Sequence, residues 1–280
     1  MAQPRTLVAI TGASSGIGAA FARKLAPHYN LLLIARRKER LEQLAAELNE
    51  KYGAASEVLV ADLTQEEDVD RAVKRIADAP DLVLLINNAG FGTPGPFWEL
   101  PLQVHENMHR LHVLATVRLT HAALRNLVHR NTGGIINVAS IAAFVRNAGN
   151  ASYSATKNWM TSFTEGLYLD LQAAGSNVTV QALCPGFTYS EFHDNLPVSR
   201  HRLAGSGFWM TAEEVVDASI AGLHRRKLFV IPGWRYRIIA ALFSKMPAAL
   251  RLSVEGAVSR RRQHALKAER PPDKQISGAK

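Results

Sequence analysis

Short apolar runs recur along the chain, separated by longer stretches in which apolar positions return every three to four residues. The runs are Leu7–Ile10, Leu31–Ala35, Glu57–Val60, Leu82–Ile86, Gly134–Ala139, Val178–Leu183 and Leu228–Ile231. Each has strand length and is bounded by polar or Gly/Pro positions. Being continuous rather than alternating, they read as strands buried on both faces, the pattern of a parallel sheet. Between them, Arg37–Lys51 is rich in Leu, Glu and Ala, and Gln65–Ala77 follows a Thr64 cap; both have helical period. The alternation predicts an α/β fold, a doubly wound parallel sheet of about seven strands with helices on both faces and right-handed crossovers.

The sheet pattern is complete by Ile231-Pro232-Gly233, yet the chain continues. Ile238, Ile239, Leu242, Phe243 and Met246 form an apolar stripe at helical spacing, and Leu250, Val254 and Val258 repeat it beyond Pro247. The expected organisation is one domain over 1–232, an amphipathic helical extension over 233–270, and a disordered end, PPDKQISGAK, over 271–280.

Charge follows the same division. Residues 1–223 carry 19 Lys+Arg against 21 Asp+Glu, whereas residues 224–280 carry 14 against 3. The net charge of +9 therefore belongs to the tail. A near-neutral body argues against nucleic acid as a partner. The basic tail, with Trp234 and Tyr236 of the types favoured at lipid headgroups, reads as a docking surface for an anionic membrane or an acidic carrier protein. The plainer alternative is that these helices pack on the body or at an oligomer interface. A single cysteine, Cys184, permits no internal disulfide. The first residues contain no long apolar segment and no run reaches the ~18 residues of a spanning helix. The expectation is a soluble, cytoplasmic protein, with membrane association only through the tail. The histidines show no metal-ligand spacing, and no metal is expected.

Candidate chemistry begins where the first strand meets the first helix. Thr11-Gly12-Ala13-Ser14-Ser15-Gly16-Ile17-Gly18 can turn tightly and bring backbone N–H groups to a pyrophosphate at the helix N-terminus. The spacing GxxxGxG, in the form TGxxxGxG, resembles the short-chain dehydrogenase/reductase family, which has a Rossmann-type fold. Three further segments fall in the family's order. Asp62-Leu63 follows the third strand, where the resemblance implies an Asp bonded to the adenine amino group. Asn87-Asn88-Ala89-Gly90 closes the fourth strand and would line the adenosine side. Pro185-Gly186 follows the sixth, with Thr188 and Ser190 placed to meet the nicotinamide amide and pyrophosphate. At the end of the second strand an acid would bind the ribose 2′-OH and select NAD. Here stand Arg36 and Arg37 instead, suited to gripping a 2′-phosphate, so NADP(H) is the expected cofactor.

Tyr153 and Lys157 lie four apart on one helix face, and Ser140 stands 13 residues before the Tyr. The resemblance implies a Ser–Tyr–Lys set in which Tyr exchanges a proton with the substrate oxygen and Ser hydrogen-bonds that oxygen. Lys157 would lower the phenol's pKa and hold the nicotinamide ribose. The family's usual Asn in the helix after the fourth strand, which helps hold a water chain to the Lys, is replaced by His112. His112 could keep a polar link in that relay, slow it, or mark lost activity. The segment Phe187–Met210 carries Phe187, Phe192, Leu196, Leu203, Phe208, Trp209 and Met210, with Gly205 and Gly207. An apolar cover of this kind suits a lipophilic ketone or alcohol. The resemblance spans about residues 5–232. It implies an oxidoreductase interconverting a carbonyl and a secondary alcohol, working as a homodimer or homotetramer. The alternative is a nucleotide-binding regulatory or scaffold protein on the same fold.

Overall fold

The computed structural model describes residues 5–93, 95–191 and 205–267. Seven parallel strands form one sheet in the order β3-β2-β1-β4-β5-β6-β7. They are β1 (Leu7–Thr11), β2 (Asn30–Ala35), β3 (Ser56–Val60), β4 (Leu82–Asn87), β5 (Gly134–Val138), β6 (Thr179–Leu183) and β7 (Phe229–Val230). The helices are α1 (Gly16–Leu25), α2 (Lys38–Tyr52), α3 (Glu66–Ala77), α4 (Leu102–His109), α5 (Thr116–His129), α6 (Ala151–Ala173), α7 (Ala212–His224), α8 (Trp234–Lys245) and α9 (Ala248–Lys267).

Alternate residues of each strand serve opposite cores, which is why the runs are continuously apolar. Val8, Ile10, Leu31 and Leu33 pack with Phe21, Leu41, Leu44 and Val215 on one face. Leu7, Ala9, Leu32 and Ile34 pack with Val69, Ile76, Leu119 and Leu127 on the other. Strand order reverses between β1 and β4, so the carboxyl ends of these strands open a crevice where doubly wound sheets bind ligands.

A buried polar ladder ties the sheet to its helices at that end. Asn87 Nδ2 donates to Thr120 Oγ1 and to Asn137 Oδ1, both at 2.9 Å, and Asn137 Nδ2 donates to Thr164 Oγ1 at 2.9 Å. Every member is partnered, so the ladder fixes register at little desolvation cost.

Some predicted boundaries move. Ala139 and Val178 lie outside their strands, and β7 is only two residues long. Thr64 is not the cap of α3. Gln65 holds the N-cap position without a side-chain bond, while the Thr64 hydroxyl donates to Asp62 Oδ1 at 2.8 Å. The hydroxyl is thus spent inside the turn rather than on the helix.

The extension forms two helices, broken at Pro247, and both touch the body. The Tyr236 side chain is buried beneath the segment after β6, which corrects its assignment to a headgroup-facing position. Glu255 Oε1 accepts from Arg146 N at 2.9 Å, and Ser259 Oγ accepts from Ala148 N at 3.0 Å. The stripe expected from the spacing is therefore divided. Ile239, Phe243, Met246 and Val254 are partly buried, whereas Ile238, Leu242, Leu250 and Val258 face outward. No described helix is long and apolar enough to cross a membrane. Residues 271–280, and Phe192, Leu196 and Leu203 of the expected cover, lie outside the described residues.

Candidate active site

A cleft of about 360 Å³ runs along the carboxyl ends of the strands, within the usual range for small-molecule sites. One end is lined by the turn Gly12–Ile17, by Arg36 and Arg37, and by Asp62 and Leu63. Asn88, Ala89 and Gly90 form its middle wall. Ser140, Tyr153, Lys157, Pro185, Gly186, Thr188 and Ser190 line the other end. Thr11, Asn87, Gly18 and His112, singled out from sequence, stand behind the cleft wall.

Thr11 and Gly18 explain the turn's shape. Thr11 Oγ1 accepts from Asn88 N at 2.9 Å and Ala89 N at 3.0 Å, while Asn88 Nδ2 donates to Thr11 O at 2.9 Å. These bonds lace β1 to the end of β4. Gly12 has φ +67°, and a Cβ on Gly18 would sit 2.3 Å from Gly12 O. Only glycine fits the left-handed turn and the close approach behind it.

At the β2 end the two arginines behave differently. Arg36 is extended, with Nη1 3.9 Å from Asp62 Oδ2. Arg37 instead folds back over the turn and donates to the hydroxyls of Ser14 and Ser15. Asp62 Oδ1 accepts from Thr64 N at 3.0 Å, which shapes the turn after β3.

At the other end Ser140 stands two residues beyond β5, capping the turn Ile141–Ala143, and Tyr153 and Lys157 come from α6. The Ser140 hydroxyl hydrogen-bonds the Tyr153 phenol and accepts from Ala142 N at 3.1 Å. Lys157 Nζ donates to Val138 O at 2.7 Å and lies 5.8 Å from the centre of the Tyr153 ring. Desolvation pushes the Tyr153 phenol up to about 12, against a smaller lowering by Ser140. It also brings the Lys157 ammonium down to about 8. The expected lowering of the phenol's pKa by Lys157 is not seen: burial raises it, and the lowering against that comes from Ser140. Cys184, beneath them, is fully buried, and its thiol is pushed up to about 12 by burial.

His112 lies in a π-helical turn, Arg110–Ala115, a geometry frequent at functional sites. Nε2 accepts from Phe91 N at 3.2 Å, and so Nδ1 carries the hydrogen and donates to Thr156 Oγ1 at 2.9 Å. Thr156 Oγ1 donates in turn to Tyr153 O at 2.9 Å. Burial first, then Lys157, holds the ring's pKa well below the usual histidine range. With both nitrogens engaged, His112 bridges the Gly90–Phe91 loop and α6. A Cβ on Gly90 would meet its Nε2 at 2.8 Å.

Sequence reasoning missed Tyr236. A Cβ on Gly186 would fall 2.0 Å from its ring. Its hydroxyl accepts from Phe187 N at 3.0 Å and donates to Phe208 O at 2.6 Å. One phenol from α8 thus joins both ends of the expected substrate cover. Above it, Trp209 stacks on Tyr189 at 5.1 Å and lies 5.3 Å from Phe187. No spacing rule could pair Tyr236 with Phe187, 49 residues earlier. Glu191, ion-paired to Arg37 at 2.6 Å, was missed for the same reason. Among the described residues no group of His, Cys, Asp and Glu could hold a metal ion.

A Rossmann-type sheet carrying this turn, ladder and Ser–Tyr–Lys end defines a class, and the comparisons agree with it. Residues 6–200 match the family described as short chain dehydrogenase, and the chain belongs to that family. It is similar to a short-chain dehydrogenase from Sphingobium yanoikuyae solved in complex with NADPH, at 32% identity and TM-score 0.76, covering 98% of both chains. It is also similar to the bulky-bulky ketone specific alcohol dehydrogenase from Comamonas testosteroni, at 30% identity and TM-score 0.72, covering 98% of this chain and 97% of that one. Among curated relatives, a very-long-chain 3-oxoacyl-CoA reductase of Phaeosphaeria nodorum is 35% identical over 62% of this chain and 52% of its own length. A 3-oxoacyl-acyl-carrier-protein reductase of Aquifex aeolicus is 33% identical over 64% and 72%. The chain thus spans only half to three quarters of the length of these curated relatives.

Proposed function

We propose that this protein is an NADPH-dependent carbonyl reductase acting on a lipophilic ketone, with Ser140, Tyr153 and Lys157 as its catalytic residues. The observation that carries the reading is the single cleft joining a phosphate-accepting glycine turn to a hydrogen-bonded Ser140–Tyr153 pair. The donor set fits a nicotinamide dinucleotide phosphate. The turn presents backbone N–H groups, the end of β2 carries no acid, and Arg36 and Arg37 flank that end. When bound, the cofactor supplies the hydride. Ser140 holds the substrate oxygen, and Tyr153, protonated at neutral pH, delivers its proton to that oxygen as charge develops there. Lys157 is the cation nearest the phenol and stabilises the phenolate left behind. His112 orients α6 and the Gly90–Phe91 loop without touching the reacting atoms.

The aromatic group Phe187, Tyr189 and Trp209 supports a bulky apolar substrate. So do the names of the relatives, which are 3-oxoacyl reductases and a bulky-ketone dehydrogenase. The test is NADPH oxidation against aliphatic 3-oxoacyl thioesters and aromatic and steroidal ketones. Turnover with at least one class is expected. No turnover across the panel by folded, NADPH-binding protein would favour the regulatory or scaffold reading instead.

The outer face of α8 and α9 favours a second reading, that the enzyme docks on an anionic membrane surface. Trp234, Ile238, Leu242, Leu250, Leu252 and Val258 are each more than half exposed, with Arg235, Arg237 and Lys245 exposed among them. Exposed apolar groups with basic neighbours are the means by which interfacial helices bind. Assembly as a homodimer or homotetramer is supported by the exposed Leu114, Val117 and Leu169 and is checked by light scattering. Co-sedimentation with anionic and neutral vesicles, comparing the full chain with an I238S/L242S variant, tests the docking. Pelleting with anionic vesicles only, weakened in the variant, is expected. Wild-type protein left in solution at low salt would refute it, and binding to an acidic carrier protein instead would reassign the face.

A further inference from the structure

The β2 end of the cleft already holds an anion supplied by the chain. Arg37 Nη2 donates to Ser14 Oγ at 3.0 Å and Ser15 Oγ at 2.7 Å, and its Nη1 donates to Glu191 Oε2 at 2.6 Å. The other oxygen of that carboxylate accepts from Arg40 Nη1. Glu191 reaches across from the segment after β6, 154 residues away in sequence. The bonds from Arg37 and then Arg40 hold its carboxyl down to about 2, so it is ionised throughout the physiological range.

Two guanidinium groups around one anion, one of them braced by the Ser14 and Ser15 hydroxyls that accept from it, offer the charged donors a phosphate monoester requires. Arg36, the other basic candidate, is 72% exposed and leans towards Asp62. It makes no comparable cradle. Among the described residues, the donors best arranged for a phosphate at the β2 end are therefore the ones Glu191 occupies.

We propose that Glu191 is a cofactor-specificity residue, its carboxylate seated between Arg37 and Arg40 in the anion cradle that a 2′-phosphate takes over. The proposal rests on the reading of NADPH as cofactor. A phosphate monoester carries more charge and more acceptor oxygens than a carboxylate, so it wins the arginines. It does so only after breaking two ion pairs. A ribose 2′-hydroxyl has no charge with which to displace Glu191. Glu191 therefore reduces affinity for 2′-phosphorylated ligands and leaves their unphosphorylated counterparts alone.

The test is calorimetric titration of the full-length chain, at low salt, with 2′,5′-ADP and with 5′-ADP. Exposed ion pairs of this kind are individually weak, and losing two of them amounts to about a three- to tenfold change. E191Q is expected to bind 2′,5′-ADP tighter by about that factor, with 5′-ADP changed by less than about twofold. In an R37A background the same substitution is expected to have a smaller effect, because only the Arg40 pair is left to break. Unchanged or weaker 2′,5′-ADP binding by E191Q, or a full gain persisting with R37A, would overturn the proposal. If E191Q still prefers 2′,5′-ADP to 5′-ADP without gaining affinity, only the displacement of Glu191 fails. If neither wild type nor E191Q prefers 2′,5′-ADP, the NADPH reading itself fails at this site.

Discussion

Lys157 should cost the cofactor-free protein stability, and Lys157→Met should therefore make it more stable while abolishing its activity. The ammonium is 4% exposed, and burial takes its pKa from 10.5 to about 8. That drop corresponds to ~3 kcal/mol of destabilisation at pH 7. Methionine of similar length removes the charge but also the bond to the Val138 carbonyl, worth about 1 kcal/mol. The net expectation is a gain of ~2 kcal/mol. The pH dependence is the sharper readout. The unfolded chain keeps this proton up to its ordinary pKa, whereas the folded chain releases it near 8. Wild-type stability should thus rise with pH above 8, by ~1.4 kcal/mol per pH unit. Cys184 acts with the opposite sign, because burial raises its folded pKa from 9.0 to about 12 and favours the unfolded thiolate above pH 9. The clean window is therefore pH 7 to 9. Urea denaturation followed by far-UV circular dichroism at pH 7, 8 and 9 should show wild type rising and the variant flat. Parallel curves for the two proteins would refute the reasoning.

Tyr153→Phe should keep NADPH affinity within a few-fold, by fluorescence titration, and lower kcat by ~10²–10⁴, the usual worth of a general acid. Retention of half of wild-type kcat would remove Tyr153 from the chemistry. His112→Asn should lower kcat, because a shorter side chain cannot reach both Phe91 N and Thr156 Oγ1. The wild-type pH–rate profile should contain no ionisation in the usual histidine range that the variant loses, since burial holds the His112 ring well below that range. Tyr236→Phe leaves Phe187 N and Phe208 O without their hydroxyl partner, so thermal denaturation should show a loss of ~1–3 kcal/mol. KM for a bulky ketone should rise more than kcat falls.

Much of the fold was legible because its signal is local. Strands buried on both faces must be continuously apolar, and all seven runs became strands within one residue of their expected bounds. The glycine turn was legible for the same reason, since Gly12 and Gly18 are dictated by a backbone path nothing larger can follow. Ser140, Tyr153 and Lys157 were marked by spacing along β5 and α6. The physical state of the site was not legible. Spacing places Lys157 beside Tyr153, but only packing determines that desolvation dominates the pKa of each. His112 was marked as unusual, yet its role depends on the π turn and on Thr156, 44 residues later. Arg37 and Glu191 are joined only by the topology that brings β2 and β6 to one crevice.

The extension is where local pattern and tertiary packing disagree most, and this determines how it can be tested. Its apolar spacing gave no means of telling an inward face from an outward one. The structure uses both. Tyr236 and Ala240 are buried against the body, Glu255 and Ser259 cap the loop at Arg146 and Ala148, and the row from Trp234 through Leu242 faces outward. A chain cut at Gly233 would lose the outer face and the Tyr236 strut together. Phe187 N and Phe208 O would lose the Tyr236 hydroxyl, and the surface of Gly186 would be uncovered. Loss of vesicle binding by that fragment would not distinguish docking from a collapsed substrate cover. Substituting Ile238 and Leu242 changes only exposed side chains and leaves Tyr236, Glu255 and the site in place. Carbonyl reduction in solution should then be unchanged by I238S/L242S, and only binding to the surface should fall.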